Sequence, residues 1–148
     1  MKCKIKFPLF LVIIFICSCT NKNPNVEIVR HSSHLLNCEK IFADDLKAIE
    51  ERNEILLQTG VIDTTDEHPP IRTAIVNIDK NEVLLTFEKS YSAQKETTEI
   101  YKGSGYVLTL TYEMTKNKFD NSIYKGKFVI ETNAAKREFD VEGRSCNL

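Results

Sequence analysis

Few side chains in this chain of 148 residues are of types that carry metal, proton or nucleophile chemistry. His31 and His34 stand three apart, and on a helix that spacing sets both imidazoles near Cys38 and Glu39 as a candidate metal pair. They fall at the start of the first predicted helix, where a solvated terminus accounts for them, so no metal site is expected. Asp63, Asp66 and Glu67 offer oxygen ligands to calcium, yet the stretch lacks the alternating acids and central glycine of an EF-hand loop. A solvated acidic loop explains it. Lys102-Gly103-Ser104-Gly105-Tyr106 leads into a strand rather than a helix, whereas phosphate cradling uses the amides of a helix start. It reads as a hairpin turn. No GxSxG, HExxH or paired CxxC occurs. No catalytic residue, metal or cofactor is assigned, and the chain is not expected to be an enzyme.

The thiols are more informative. Lys2, Lys4 and Lys6 precede an apolar run from Phe7 to Ile16 broken only by Pro8, and Ser18 follows before Cys19. Crossing the hydrocarbon core takes about 20 apolar residues, so this run is too short for an anchor helix and has the layout of a secretory signal peptide. Ile16-Cys17-Ser18-Cys19 resembles the lipobox of bacterial lipoproteins: an aliphatic residue, two small residues, then the lipidated cysteine. The resemblance covers residues 1–19 only, with Ile16 where Leu is commonest. It assigns the lipid to Cys19 and sends Cys17 away with the signal. It further implies a diacylated amino terminus with a third acyl chain (palmitate is the usual label). Each buried methylene contributes about 0.8 kcal/mol, so membrane release becomes negligible. Thr20, rather than Asp, after the lipidated position implies outer-membrane sorting with the protein facing the periplasm.

Removing residues 1–18 leaves 130, the size of one domain. The leader takes three of the 20 basic residues, so 17 face 21 acidic ones and the mature charge is −4. No basic run appears, which argues against a nucleic-acid partner. Cys3 and Cys17 leave and Cys19 carries lipid, so Cys38 and Cys146 remain as an even pair in an oxidising compartment. A disulfide is the simplest expectation.

The expected organisation is a signal at 1–18, a lipidated flexible tether at 19–31 and one globular domain at 32–148. Leu35, Cys38, Phe42, Leu46, Ile49 and Leu56 recur at three- and four-residue steps, which predicts one long helix, capped by Ser32, Ser33 or Asn37 and stopped at Gly60 with Val61 behind it. VIDTTDEHPP reads as a loop. Beyond Pro70 the period falls to two. Ile71–Ile78 and Val83–Glu88 flank DKNE as a hairpin, with Val83, Leu85 and Phe87 on one face. TTEIY (97–101) is a weaker strand. Tyr106, Leu108, Leu110, Tyr112 and Met114 alternate clearly with polar neighbours, Tyr124, Phe128 and Ile130 line the next strand, and Phe139 and Val141 the last. The predicted class is α+β: one helix over an antiparallel meander of five or six strands, a layout that resembles cystatin-like and NTF2-like rolls. The alternative is a small closed β-barrel with a helix plugging one end.

Residues 35–70 hold nine acidic and three basic side chains. Asp44, Asp45, Glu50, Glu51, Glu54, Asp63, Asp66 and Glu67 are therefore candidates for an acidic face that attracts a cationic protein. The leading expectation is an envelope-anchored, non-enzymatic protein-binding module, in its sharpest form an inhibitor or immunity factor against a basic toxin or cell-wall hydrolase. The alternatives are a carrier of a small apolar ligand or lipid, its cavity lined by Tyr106, Leu108, Tyr112 and Phe128, or an assembly or pilot factor of an envelope complex. On the lipoprotein reading, Cys19→Ala should abolish incorporation of labelled palmitate. Unchanged labelling sinks the anchor.

Overall fold

The computed structural model describes residues 23–28, 37–62, 69–118 and 121–146. The leader, Cys19, His31, His34, Ser32, Ser33, Asp63, Asp66, Glu67 and His68 lie outside them. Among the described residues nine strands occur in chain order: β1 (Val26–Glu27), β2 (Asn37–Ala43), β3 (Leu57–Ile62), β4 (Ile71–Ile78), β5 (Asn81–Ala93), β6 (Glu96–Gly103), β7 (Tyr106–Lys118), β8 (Asn121–Glu131) and β9 (Lys136–Ser145). One helix, α1 (Leu46–Arg52), joins β2 to β3. Each strand from β2 to β9 pairs antiparallel with the next, and β9 returns to β2. The result is a closed eight-stranded up-and-down barrel, with β1 laid beside the end of β4. Closure leaves no open edge in the ring.

The barrel replaces the expected α+β roll and matches the stated alternative. The long helix is the error. Asn37–Ala43 and Leu57–Ile62 are strands, and only seven residues between them are helical. Asp45 caps that helix, its Oδ1 accepting from Ala48 N–H at 2.7 Å, and Asn53 ends it in the left-handed region at φ 53°. Neither Asn37 nor Gly60 serves as a helix cap: Asn37 starts β2 and Gly60 lies inside β3, as does Val61. The misreading has a physical source. Ile41, Phe42 and Ala43 are all buried, because Phe42 faces the lumen while Ile41 and Ala43 meet Ala48, Ile49 and Ile55 outside it. A strand covered on both faces loses its two-residue period. The helix thus lies on the outer wall rather than plugging an end.

The later strands follow the expected alternation. Val83 and Leu85, Leu108 and Leu110, Phe128 and Ile130, and Val141 all enter one interior cluster with Phe42, Leu57, Ala74 and Val76. Eight strands enclose just enough space for side chains to fill, so this is a packed core. Asp79 and Lys80 both take positive φ (50° and 68°), a two-residue turn whose twist suits the β4–β5 hairpin. Ser104 (φ 51°) and Gly105 (φ 80°) do the same between β6 and β7. These tight turns, with β1, mark one end of the barrel. At the other end β5 and β6, and β7 and β8, rise as longer hairpins around a mouth.

Closure joins the first ring strand to the last. The β2–β9 ladder runs only from Lys40↔Ser145 to Ala43↔Glu142, extended by a Cys146 N–H···O=C Glu39 bond of 3.0 Å. Cys38 and Cys146 form a disulfide just beyond it, with Cα atoms 5.6 Å apart, as the cysteine pairing predicted. Gly143 sits opposite Phe42 in this seam, and a Cβ there would come within 2.4 Å of the Phe42 ring. The disulfide spans 108 residues, so chain-entropy reasoning gives it about 4–5 kcal/mol. Replacing both cysteines by alanine should lower the urea-unfolding free energy by about 2–5 kcal/mol.

Candidate functional site in the barrel mouth

The interior is apolar near the tight turns and charged toward the mouth. Alternation sends Glu99 and Tyr101 of β6, Tyr112 of β7 and Arg72 of β4 into the lumen. In β2 the register slips between Cys38 and Lys40, and this bulge turns Glu39 as well as Lys40 inward. Two more bulges, between Phe87 and Lys89 and between Met114 and Lys116, stand at the same end. Bulges concentrate at barrel rims and beside functional sites, where they re-aim side chains.

Glu99 is the centre of the group, its side chain only 4% exposed. Its Oε2 accepts from the Tyr101 hydroxyl at 2.7 Å. Its Oε1 accepts from Tyr112 at 3.0 Å, Arg72 Nη2 at 3.2 Å and Lys40 Nζ at 3.3 Å. Arg72 Nη2 also donates to Glu39 Oε2 at 2.9 Å, and Lys40 Nζ lies 3.7 Å from the same oxygen. The Arg72 guanidinium rests 4.5 Å from the centre of the Phe87 ring, and Lys40 Nζ 5.3 Å from that of Tyr112. Two cations and two carboxylates thus balance. The inner pair, Glu99 and Lys40, is nearly closed to solvent, whereas Arg72 and Glu39 are about one-third exposed at the mouth.

Burial alone would raise the Glu99 pKa. Lys40, the Tyr101 hydroxyl, Arg72 and the Tyr112 hydroxyl outweigh it, so the carboxyl sits below its ordinary value and stays ionised at neutral pH. Burial, then the Glu99 charge and its hydrogen bond, push both phenols well above their ordinary range and keep them as donors. Burial opposes the Arg72 charge, but the hydrogen bond and charge of Glu39 more than restore it. The cluster is a fixed array of charge-assisted hydrogen bonds with no displaced proton, suited to holding a polar group rather than transferring one.

Around it the mouth offers both kinds of surface. Pairing of Ser90 with Glu99 and of Ser92 with Thr97 puts these small polar residues on the lumen side. Met114, opposite Tyr124, shares that side and is 53% exposed. Thr59 lies opposite Lys40 in the β2–β3 ladder, fully buried, with a hydroxyl that has no hydrogen-bond partner.

The residues expected to bind a partner lie elsewhere. Asp44, Glu50 and Glu51 are exposed near α1 on the outer wall, where Asp44 borders a groove of about 280 Å3 with Lys125, Asp140 and Glu142. Asp45 is committed to its cap and Glu54 to Arg52 at 2.7 Å. Asp63, Asp66 and Glu67 lie outside the described residues. Of the expected cavity lining, Leu108 and Phe128 are fully buried core, Tyr106 packs against them, and only Tyr112 reaches the polar cluster. Among the described residues no group of His, Cys, Asp and Glu is placed to hold a metal. The sequence reading passed over Lys40, Arg72 and Glu99, and named Glu39 only as a neighbour of the two histidines. One signal was present: Glu99 alternates with Thr97 and Tyr101 on the inward face of a strand.

Because its folded pKa lies below the ordinary 4.5, Glu99 adds stability above about pH 4.5 that is lost as pH falls through the folded value. Glu99→Gln should cost about 3–5 kcal/mol at pH 7, since it leaves buried cations without their carboxylate. It should also flatten the acid limb of a stability–pH curve. Tyr101→Phe should cost about 1.5–3 kcal/mol in urea unfolding. Compared with protein-family models, with curated proteins and with solved structures, the chain matches none.

Proposed function

We propose that the protein is an envelope lipoprotein, anchored through Cys19 at the outer membrane and facing the periplasm, whose barrel binds a small amphipathic molecule at its mouth. The observation that carries this reading is the charged cluster inside the lumen. Apolar side chains of similar volume would stabilise a barrel at least as well as four charges in its interior. A buried, hydrogen-bonded ionic group at the open end of a concave fold is instead what recognition of a polar ligand requires. The lower lumen is filled, so the ligand occupies the mouth. Its polar head meets Arg72 and its neighbours, and its apolar part lies against Met114 and Phe87.

The protein-binding reading has less to support it: α1 has seven residues, and Asp45 and Glu54 are engaged within the fold. Native mass spectrometry of the full chain, purified in detergent and stripped of it in the instrument, tests the proposal. The expected spectrum shows a non-covalent small-molecule adduct above the mass of the acylated chain, diminished in Met114→Lys. Adduct-free protein from several gentle detergents would overturn the binding reading.

A further inference from the structure

We propose that the head group bound at the mouth is a carboxylate, and that it takes the place of Glu39 at Arg72. This rests on the binding-barrel reading and names its ligand class. The cluster already holds a carboxylate in the outer position, since Glu39 Oε2 lies 2.9 Å from Arg72 Nη2 and 3.7 Å from Lys40 Nζ. That pair is about one-third exposed on both sides, so water screens it and exchange for an external acid costs little. The Glu99 pairs are inaccessible by comparison, with Glu99 4% and Lys40 13% exposed. Glu39 therefore acts as an internal stand-in that leaves, while Glu99 keeps both cations in place.

Two sets of donors point to something beyond Glu39. Arg72 donates to Glu39 and Glu99 through Nη2, and among the described residues its Nη1 makes no hydrogen bond. When Glu39 leaves, Nη1 and Nη2 present a planar end-on fork matched to the two oxygens of a carboxylate, with the guanidinium resting on the Phe87 ring. Thr59 supplies the second set. Its hydroxyl is buried and unpartnered, directly opposite Lys40 and diagonal to Arg72 in the ladders. A buried hydroxyl without a partner is costly, and a ligand oxygen between Lys40 and Arg72 satisfies it. A neutral amide head offers one uncharged acceptor in place of two anionic oxygens, and a cationic head would face two positive charges.

The test uses two water-soluble probes of the same shape, 1-naphthylacetate and 1-naphthylacetamide. Each is titrated calorimetrically into the full chain in phosphatidylcholine nanodiscs, with empty discs subtracted. The acid should bind about tenfold more tightly than the amide, a difference typical of one charge-assisted contact. Glu39→Gln, which removes the internal competitor, should tighten acid binding severalfold. Thr59→Val and Arg72→Gln should bring the acid-to-amide ratio toward one. Should Arg72→Gln not fold, the Glu39 and Thr59 variants decide. Equal binding of acid and amide, or acid affinity unchanged in Glu39→Gln, overturns the carboxylate inference and leaves the binding barrel standing. Failure of both probes overturns the two together.

Discussion

The hydrogen-bonded ion pair between Glu99 and Lys40 joins opposite walls of the barrel. β6 and β2 are four strands apart in either direction around the ring, so this contact spans the full lumen. Arg72 enters from β4 and Tyr112 from β7, and four of the eight ring strands meet on one carboxylate. An apolar core tolerates sliding of one strand against another wherever volumes match. A carboxylate that needs four donors within 3.3 Å does not, because any register slip turns a donor to the outer wall. The cluster therefore fixes registry, and it divides the lumen into a filled apolar half and a polar mouth.

Everything that closes the ring supports that division. The seam between β2 and β9 is short, and the elements around it act from outside: α1 covers Ile41 and Ala43, Glu142 accepts from Leu46 N–H at 3.3 Å, and the disulfide locks the mouth end. Inside, Gly126 and Gly143 make room for the tilted rings of Phe42, Tyr112 and Tyr124, whose centres lie 5.2–6.1 Å apart. A Cβ at Gly126 would fall 2.1 Å from the Thr111 carbonyl oxygen. These glycines let neighbouring strands approach where the aromatic layer is widest. That layer lies next to Tyr112, so packing at the seam also sets where one of the Glu99 donors stands.

How much of this could be read beforehand differs along the chain. In β5, β7, β8 and β9 the inward faces were legible from their apolar alternation, because one side of the strand meets core and the other is more open to water. The meander order and the Cys38–Cys146 pair were legible as well. The segment 37–62 was not: burial on both walls of β2 erased its alternation, and the short helix between two strands merged with them into one helical spacing. The mouth was hidden for another reason. The adjacent Glu39 and Lys40 are far in sequence from Arg72 and Glu99, all four are ordinary in type, and only ring closure brings β2 and β6 face to face. Thr97-Glu99-Tyr101 looked like a weak strand because its inward face is polar, which is the property that builds the charged cluster.

Under the proposed anchor at Cys19, the two-residue strand β1 sets which way the molecule faces. Val26 and Glu27 pair with Ile78 and Asn77, and Arg137 Nη1 reaches the Pro24 carbonyl at 3.4 Å, so the chain is tied beside the tight-turn end. Cys19 precedes Asn23 by four residues, about 13 Å of extended backbone. With acyl chains at Cys19, that end sits close to the lipid headgroups and the hairpin rim points into the aqueous space. Cargo would then be exchanged with the surrounding fluid and not drawn sideways out of the bilayer.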